Sequence, residues 1–307
     1  MTSSPQFSVI IPTYNRREKL LRALESLNAQ RYLNFEVLVC DDGSGDNTRR
    51  HVEGFRQKIR FQALYYFFAP NWGGPARPRN IGLAHAAAEW ICYLDSDDSW
   101  HPSKLERVLP LLHDADLIYH DFQIISSPQK RRRHYARTLK APVFEDLMIN
   151  GHNGCIINSG VTVRKRLVLQ VGGCTENKTF IGVEDADLWL RIALLTNRFT
   201  HIAEPLGTYY VDGGNLTMYN DKMIQQLQAL FYQYVSFLKL SHQHDLAFRT
   251  NNYHIARICR LMKQDRKALS LYWSSTGSPN MQILCRSLFW IFILNMKMIM
   301  GKLTGRR

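Results

Sequence analysis

Four short apolar runs alternate with segments of helical periodicity over the first hundred residues of this chain of 307 amino acids. Apolar runs of this length, bounded by turn residues, predict buried strands. Strands and helices in regular alternation favour a parallel sheet with helices on both faces. The four predicted strands are Phe7–Pro12, Phe35–Asp42, Ile59–Phe68 and Trp90–Asp97.

Polar residues stand at the carboxyl ends of three of these strands. They are Pro12-Thr13-Tyr14-Asn15 after the first, Asp41-Asp42 after the second and Asp95-Ser96-Asp97-Asp98 after the fourth. In open α/β sheets, ligands bind in the crevice outside the carboxyl ends of the strands. We therefore expect these side chains to converge in one crevice.

The acidic segment within ICYLDSDDSW (residues 91–100) is the strongest chemical signal. Three carboxylates after a buried strand repel one another unless a hard divalent cation lies among them, and such a cation takes further ligands from substrate phosphates. The segment predicts phosphate chemistry with Mn²⁺ or Mg²⁺, with Asp97 on the metal and Asp95 on the metal or a ribose. The structural alternative is a capped loop before a helix that starts near Pro102.

Two further acidic pairs are weaker signals. The Asp42 carboxylate can accept a hydrogen bond from the N3–H of uracil, with Thr13 and Tyr14 flanking the base; the segment DDGSGDNT also fits a plain Asx-type turn. Glu184-Asp185 opens a predicted helix, where acids gain about 0.3–1 kcal/mol from the helix dipole. Beside a metal–phosphate crevice, one of the two becomes a general-base candidate.

Two basic segments lie in the same part of the chain. Gly73-Gly74-Pro75 with Arg77 and Arg79 suits either phosphate contacts or a tight surface turn. Lys130–Arg133 lies within residues 126–140, for which we expect a mobile, solvated loop.

Beyond residue 217 the pattern becomes long and helical, which predicts one domain over residues 1–217 and a basic helical region over 218–307. Residues 216–307 contain 13 Lys or Arg and 3 Asp or Glu, which favours an anionic partner. Ser287–Met296 is too short to span a bilayer, since about 20 apolar residues are needed. Residues 281–303 predict either a helix in peripheral contact with a membrane surface or one packed on the rest of the protein. No nucleic-acid partner is expected, because the aromatic spacing fits core packing.

The six cysteines form no C-x-x-C pair, and no basic region precedes the first apolar run. Both features are typical of a cytoplasmic protein without a signal peptide. Peripheral contact at the inner face of the membrane is a further expectation.

Five segments, in this order, resemble the motifs of family 2 glycosyltransferases, which are inverting enzymes of the GT-A fold. They are SVIIPTYNR (8–16), VLVCDDGSGDNT (37–48), ARPRNIGL (76–83), YLDSDDSWHPSKLE (93–106) and GVEDADLWLRI (182–192). The resemblance covers about residues 7–217. It implies an α/β, Rossmann-like catalytic domain with a mixed, mostly parallel sheet flanked by helices, followed by an α-helical C-terminal region.

The resemblance also implies residue roles. Asp95 and Asp97 match the D-x-D pair, with Asp97 the direct metal ligand. Asp185 matches the catalytic base, with Glu184 beside it. Asp212 stands where the family often carries His or Arg near the metal. The predicted nucleotide-binding residues are Pro12, Thr13, Tyr14, Asn15, Asp41, Asp42, Arg79, Asp95 and Ser96.

The function expected from the resemblance is sugar transfer from a nucleotide-diphosphate sugar, usually a UDP-sugar, to a hydroxyl of a saccharide or lipid-linked acceptor. Such a reaction belongs to cell-surface polysaccharide or glycolipid synthesis. The acceptor side is expected from residues 152–160 and the basic loop. Two alternatives stay open: a nucleotidyltransferase that makes NDP-sugars, and a non-enzymatic module that binds membrane or nucleic acid. PTYNRREKL after the first strand disfavours the former, which usually has a Gly-rich basic loop there.

Overall fold

The computed structural model describes residues 4–127, 129–151, 155–211 and 219–303. The chain forms two compact units. The first is Met1–Leu139 with Gly154–Asn215, and the second is Lys140–Asn153 with Leu216–Arg307. The boundary predicted at residue 217 lies outside the described residues. The predicted division put residues 140–153 in the first domain, whereas in the structure they cluster with the C-terminal helices.

The first unit is built on a mixed sheet flanked by helices, and the second is helical. The described strands are β1 (Phe7–Thr13), β2 (Phe35–Asp41), β3 (Ala63–Phe68), β4 (Trp90–Tyr93), β5 (Ser99–Trp100), β6 (Leu117–Ser127), β7 (Lys130–His134), β8 (Thr162–Arg164) and β9 (Phe199–Tyr210). The described helices are α1 (Arg17–Asn28), α2 (Thr48–Phe55), α3 (Ala76–His85), α4 (Lys104–Val108), α5 (Val143–Asn150), α6 (Lys165–Gln170), α7 (Glu184–Ala193), α8 (Asp221–Tyr234), α9 (Ser241–Leu261), α10 (Asp265–Ser274) and α11 (Met281–Leu303).

The strand order is β3-β2-β1-β4-β8-β6-β9-β5, with β7 paired to β6. Strands β1 to β4 are mutually parallel. Because β8 is antiparallel to both β4 and β6, β6 points the same way as β4. The carboxyl ends of β1, β2, β4 and β6 therefore lie along one edge of the sheet.

The core explains why the first strands lack apolar–polar alternation. Every residue of β1 and β2 is buried, as expected for strands covered by helices on both faces. Helix α1 packs its leucine stripe into this core. Helix α3 comes equally close, because a Cβ built on Gly82 would lie 2.6 Å from Ile10 Cγ2 and 3.0 Å from Cys40 Sγ.

Three local predictions are wrong. Residues 130–134 form strand β7 rather than part of a mobile loop, because the backbone of β6 supplies a pairing partner for the basic tract. The sequence of residues 158–163 predicts a strand, but Asn158–Gly160 forms a 3₁₀ turn and the strand itself is Thr162–Arg164. The fourth strand ends at Tyr93, so the acidic segment lies beyond the sheet.

The second unit is held by aromatic and polar contacts among its helices. Phe144 of α5 packs edge-to-face against Tyr234 and Phe237. The Thr250 hydroxyl of α9 donates a hydrogen bond to the carbonyl of Ile149 at 2.5 Å. This bond explains how a segment inserted within the sheet-containing sequence joins the C-terminal helices.

Helix α11 extends well beyond the apolar run Ser287–Met296 that the sequence analysis identified. Met281–Met300 is long and apolar enough to cross a membrane, by length and composition alone. The run Ser287–Met296 is short by itself, but apolar residues on both sides of Arg286 and Lys297 extend it, and contact of this helix with a membrane stays a prediction. Only 22% of this apolar stretch is buried within the structure.

Candidate active site

The loops after β1 and β2 are tied together at the carboxyl edge of the sheet. Thr13 pairs with Asp41 in register, and the Asp42 amide donates to the Thr13 carbonyl at 2.9 Å. Asn15, in the left-handed region at φ 47°, accepts a hydrogen bond from the Gly45 amide at 2.8 Å. The first two predicted nucleotide-binding segments are therefore neighbours.

The side chains at the end of β1 differ in what they offer a ligand. Pro12 and Thr13 are buried, and within the described part of the chain the Thr13 hydroxyl has no hydrogen-bond partner. Tyr14 is 46% exposed. A buried hydroxyl beside an exposed aromatic ring suits the edge and face of a planar base.

The two acids after β2 are engaged with protein groups. Asp41 accepts hydrogen bonds from the Ser44 amide at 2.8 Å and from the Tyr66 hydroxyl at 2.6 Å. These contacts satisfy one lone pair on each of its oxygens and stabilise the turn. Asp41 therefore has a structural role at the position where the sequence predicted nucleotide binding.

Asp42 holds the Gly-rich loop. Its carboxylate accepts hydrogen bonds from the amides of Trp72 at 2.9 Å and Gly73 at 3.0 Å. A Cβ built on the next residue, Gly74, would lie 3.2 Å from Ile181 Cγ1, so the loop runs close to the segment before α7. Asp42 thus links the end of β2 to the neighbourhood of Glu184. A carboxylate can accept up to about four hydrogen bonds, so capacity for a base remains.

Arg79 joins two acidic motifs that are far apart in sequence. Its side chain is 4% exposed and donates to Asp95 Oδ1 and to Glu184 Oε1, each at 2.7 Å. Glu184 also accepts from the Gly182 amide at 2.6 Å. Arg79 therefore fixes the acids after β4 against those at the start of α7, and its predicted contact with the nucleotide stays a prediction.

Asp97 is mostly buried and paired with a cation. Its Oδ2 lies 2.6 Å from Arg16 Nη1, and its carbonyl accepts from Arg22 at 2.7 Å. Burial, together with the charge of Asp95, raises the pKa of Asp97 against the opposing effect of Arg16. A divalent cation would relieve the same repulsion.

Asn158 and Ser159 support the acidic segment, a role that the sequence pattern assigned to neither of them individually. Asn158 donates to Asp95 Oδ1 at 3.1 Å, and the Ser159 hydroxyl donates to Asp98 Oδ2 at 2.5 Å. Burial and the charges of Asp95 and Asp97 raise the pKa of Asp98 well above its ordinary value. Ser96, which lies between Asp95 and Asp97 in the sequence, is also buried. The signal that could have identified this support is the Asn158-Ser159-Gly160 turn at the end of the predicted acceptor segment.

Asp185 has the electrostatic environment of a base that works near neutral pH. Burial raises its pKa to about 7, and the Glu184 charge adds to this effect while Arg79 opposes it. Its Oδ1 accepts a hydrogen bond from the Ala186 amide at 2.8 Å. Asp185 is therefore adjacent in sequence to Glu184, and Glu184 is connected to Asp95 through their shared ion pairs with Arg79.

The acidic segment fits a hard divalent cation by its donor chemistry. Asp95 and Asp97 offer carboxylate oxygens, the ligands that Mg²⁺ and Mn²⁺ prefer. Among the described residues no group of three or more His, Cys, Asp or Glu side chains forms a complete metal cluster. A cation held here would draw its remaining ligands from water and phosphate. Asp212, where the sequence departs from the family pattern, lies outside the described residues.

A sequence model of one family, "Glycosyl transferase family 2", matches residues 8–171 of the chain. The chain belongs to glycosyl transferase family 2. The match spans every site residue above except Glu184 and Asp185. The prediction of a family 2 glycosyltransferase is therefore confirmed, and the protein is an enzyme of the glycosyltransferase class.

Relatives and solved structures agree with this assignment. Among curated proteins, the Escherichia coli UDP-Glc:alpha-D-GlcNAc-diphosphoundecaprenol beta-1,3-glucosyltransferase WfgD is 32% identical over 187 residues, which cover 60% of this chain and 68% of WfgD. The Staphylococcus aureus TarS 1–349 structure in complex with UDP-GlcNAc has a TM-score of 0.64 at 19% identity, covering 98% of this chain and 92% of that one. The Pyrobaculum calidifontis mannosyltransferase PcManGT, in complex with GDP-Man and Mn²⁺, has a TM-score of 0.63 at 15% identity, covering 100% and 89%.

The GT-A fold predicted for this family 2 enzyme is confirmed by these structures. The structure brings together Thr13, Tyr14, Asn15, Asp41 and Asp42 on one side. It brings together Asp95, Asp97, Arg79, Glu184 and Asp185 on the other. The loop from Asn71 to Gly74 runs between the two groups.

Proposed function

We propose that this enzyme transfers a sugar from a UDP-sugar to a hydroxyl of a phosphate-bearing, lipid-linked saccharide, with inversion at the anomeric carbon. The observation that carries the proposal is the Arg79 bridge, which holds Asp95 and Glu184 on one guanidinium. It supports a single site in which the acids after β4 face the donor diphosphate and Asp185 faces the acceptor.

The donor side rests on the ends of β1 and β2. The unpartnered Thr13 hydroxyl and the exposed Tyr14 ring suit a uracil base. Asp42 contributes by holding the backbone of the Gly-rich loop and by its remaining acceptor capacity. A protein acceptor that meets the uracil N3–H discriminates strongly, because an analogue without the donor leaves a buried group unpaired.

Asp97 and Asp95 are the residues that would hold Mn²⁺ or Mg²⁺. When bound, the cation acts as a Lewis acid that offsets the negative charge developing on the departing UDP. Arg16 and Arg22 lie beside Asp97 and add fixed positive charge to the same region. PcManGT, a structural neighbour, is described in complex with Mn²⁺.

Asp185 is the proposed general base. The acceptor hydroxyl has a high pKa and must lose its proton as its oxygen attacks the anomeric carbon. A carboxylate with a pKa near the working pH is well matched to that task. Glu184 and Arg79 position it, since Glu184 is bonded to Arg79 and to the Gly182 amide.

The proposed acceptor class follows from the names of two relatives. WfgD is named for a saccharide diphosphoundecaprenol acceptor. TarS, 36% identical over 117 residues, is named for poly(ribitol-phosphate), and the match covers 37% of this chain and 20% of TarS. Both acceptors carry phosphate close to the sugar or polyol. The basic character of the present chain agrees with such a partner and with peripheral binding at a membrane.

A donor panel tests this function. Purified full-length protein is incubated with Mn²⁺ and each of several UDP-, GDP- and TDP-sugars, and nucleoside diphosphate release is measured. We expect release from at least one UDP-sugar and a loss of about 10²–10⁴-fold for Asp185→Asn with binding of UDP retained. Wild-type rates in Asp185→Asn, or pyrophosphate release from a sugar-1-phosphate and UTP, would contradict the proposal.

A further inference from the structure

The β6–β7 hairpin rises beside the acidic segment. Ile91 of β4 and Leu117 of β6 both pair with Val163 of β8, so the two strands start level. Strand β4 ends at Tyr93, but β6 continues to Ser127. At about 3.3 Å per residue, β6 extends on the order of 20 Å past the end of β4. It forms a wall on the side of the sheet edge where Asp95–Asp98 lie.

The strand register gives the distance from this wall to the site. Ser99, directly after the acidic segment, pairs with Thr208 of β9. Thr208 pairs with Gln123 of β6, which in turn pairs with Arg133 of β7. Three strand spacings of about 4.8 Å separate the backbones of Ser99 and Arg133 by roughly 14 Å. One or two sugar residues span a comparable distance.

Four consecutive cations line β7, and all four are exposed. Arg133 is paired with Asp121 and donates to the Ala203 carbonyl. For Lys130, Arg131 and Arg132, no ion pair is found within the described ranges. The backbone of the tract is fixed, since it pairs with β6 and the Arg132 carbonyl accepts from Gln123.

We propose that Lys130, Arg131 and Arg132, named here the β7 cations, bind the phosphate groups of the acceptor. The inference rests on the proposed function, because it supplies the phosphate that the proposed acceptor carries. Guanidinium groups bind phosphate oxygens with paired, charge-assisted hydrogen bonds. With the phosphate held at β7, the sugar it carries lies within about 14 Å of the acidic segment, the distance given by the strand register. The proposed ligand is the diphosphate of a polyprenyl-linked saccharide.

A competing explanation is that edge strands carry Lys and Arg to prevent sheet-to-sheet association. That role needs charge but no particular ligand. A binding experiment with different anions separates the two explanations.

The test compares vesicle binding by full-length proteins. The vesicles are neutral phosphatidylcholine alone, phosphatidylcholine with undecaprenyl diphosphate, and phosphatidylcholine with phosphatidylglycerol at equal total charge. The variant is Arg131→Gln with Arg132→Gln. The matched control is Arg49→Gln with Arg50→Gln, two adjacent exposed arginines of α2 in the same unit. Both double variants change the net charge equally.

We expect the Arg131/Arg132 variant to bind undecaprenyl diphosphate vesicles about tenfold or more weakly than wild type. Binding to phosphatidylglycerol vesicles should stay within about twofold, and the control variant should match wild type on all vesicles. If the variant lost binding equally to both kinds of anionic vesicle, the β7 cations would be attracted to any anionic membrane, and the proposal would be overturned. An equal loss in the control, no preference of wild type for undecaprenyl diphosphate, or aggregation of the variant with unchanged binding would also overturn the proposal.

A second measurement keeps this outcome separate from that of the proposed function. UDP binding by calorimetry is recorded for the same proteins. Absence of UDP binding in wild type would contradict the proposed donor, whereas the vesicle preference would still report on the β7 cations.

Discussion

At the residue scale, Arg79 is the side chain on which the geometry of the site most depends. Replacing it with Met leaves Glu184 buried beside an apolar side chain and removes one partner of Asp95. Breaking a buried ion pair in this way costs about 3–5 kcal/mol. We expect the free energy of unfolding of Arg79→Met, measured by urea denaturation, to fall by about that amount.

Arg77 supplies the matched control for this prediction. It lies on the same helix, but its pair with Glu176 is exposed on both sides. Exposed pairs contribute about 0–1 kcal/mol, so Arg77→Met should be close to wild type. Equal destabilisation by both variants would show that Arg79 is no special link between the two acidic motifs.

Asp185 gives a second prediction at this scale, in the pH dependence of the rate. A general base works only when deprotonated, and burial raises the pKa of Asp185 to about 7. The value of kcat/KM should therefore fall tenfold per pH unit below about pH 7 and level off above it. The measurement is UDP release across pH 5–9 at saturating Mn²⁺. A fall in kcat/KM centred near pH 4 would instead indicate that the base is an ordinary, solvated carboxylate, and it would contradict this prediction.

The sequence located the acidic residues of the site but not the partner of each oxygen. Asp41, Asp42 and Asp185 lie where the strand and helix pattern predicted them. Some of their partners come from other elements or loops, such as Tyr66 for Asp41 and the Trp72 amide for Asp42. A pattern within one segment carries no information on such contacts, so the turn-stabilising role of Asp41 appeared only in the structure.

At the element scale, α3 packs closely against the sheet. A Cβ on Gly82 would meet Ile10 at 2.6 Å and Cys40 at 3.0 Å, both buried core atoms. We expect Gly82→Ala to destabilise the protein by about 1–3 kcal/mol through overpacking, measured by urea denaturation. Because α3 carries Arg79, the shift should also lower the rate of UDP release.

Gly54 of α2 is the control at this scale. Among the described residues, no atom beyond its chain neighbours and the backbone of α2 itself lies within 4 Å of a Cβ built on it. Alanine in an open helical position is favoured over glycine by about 0.5–1 kcal/mol. Gly54→Ala should therefore stabilise the protein, and a loss of stability like that of Gly82→Ala would contradict the packing account.

Elements with a strong apolar pattern were predicted well. Elements that form only because a neighbouring strand pairs with them were not. The buried strands β1 and β2 lie within one residue of their predicted bounds, and helix α7 begins at Glu184 as predicted. Strand β7 reads KRRRH, which predicts a solvated loop, and it forms because β6 offers an open edge. Pairing of that kind depends on the three-dimensional neighbour, which a charge pattern does not reveal.

At the scale of the whole molecule, basic charge and exposed aromatics coincide in the second unit. On α11, Phe289 is 54% and Phe292 is 62% exposed, with Arg286 close by in sequence. Such a helix suits the interface of an anionic membrane. We expect Phe289→Ser with Phe292→Ser to weaken binding to phosphatidylglycerol vesicles at least about tenfold, since each aromatic contributes about 1.5–3 kcal/mol when buried.

The control for this prediction uses the other unit. Tyr65 and Phe68 are exposed aromatics on strand β3, and replacing both with Ser should leave vesicle binding unchanged. Equal binding by the α11 variant and wild type, in a co-sedimentation assay, would show that α11 does not contact the membrane.

The central claim is that acids from separate strand ends act on one UDP-sugar with the help of a cation on Asp97. Calorimetric titration of UDP, with and without Mn²⁺, tests it most directly. We predict that Mn²⁺ strengthens UDP binding at least about tenfold in wild type and in Asp185→Asn, but not in Asp97→Asn. Equal UDP affinity with and without Mn²⁺ in wild type, or an unchanged Mn²⁺ effect in Asp97→Asn, would contradict the account.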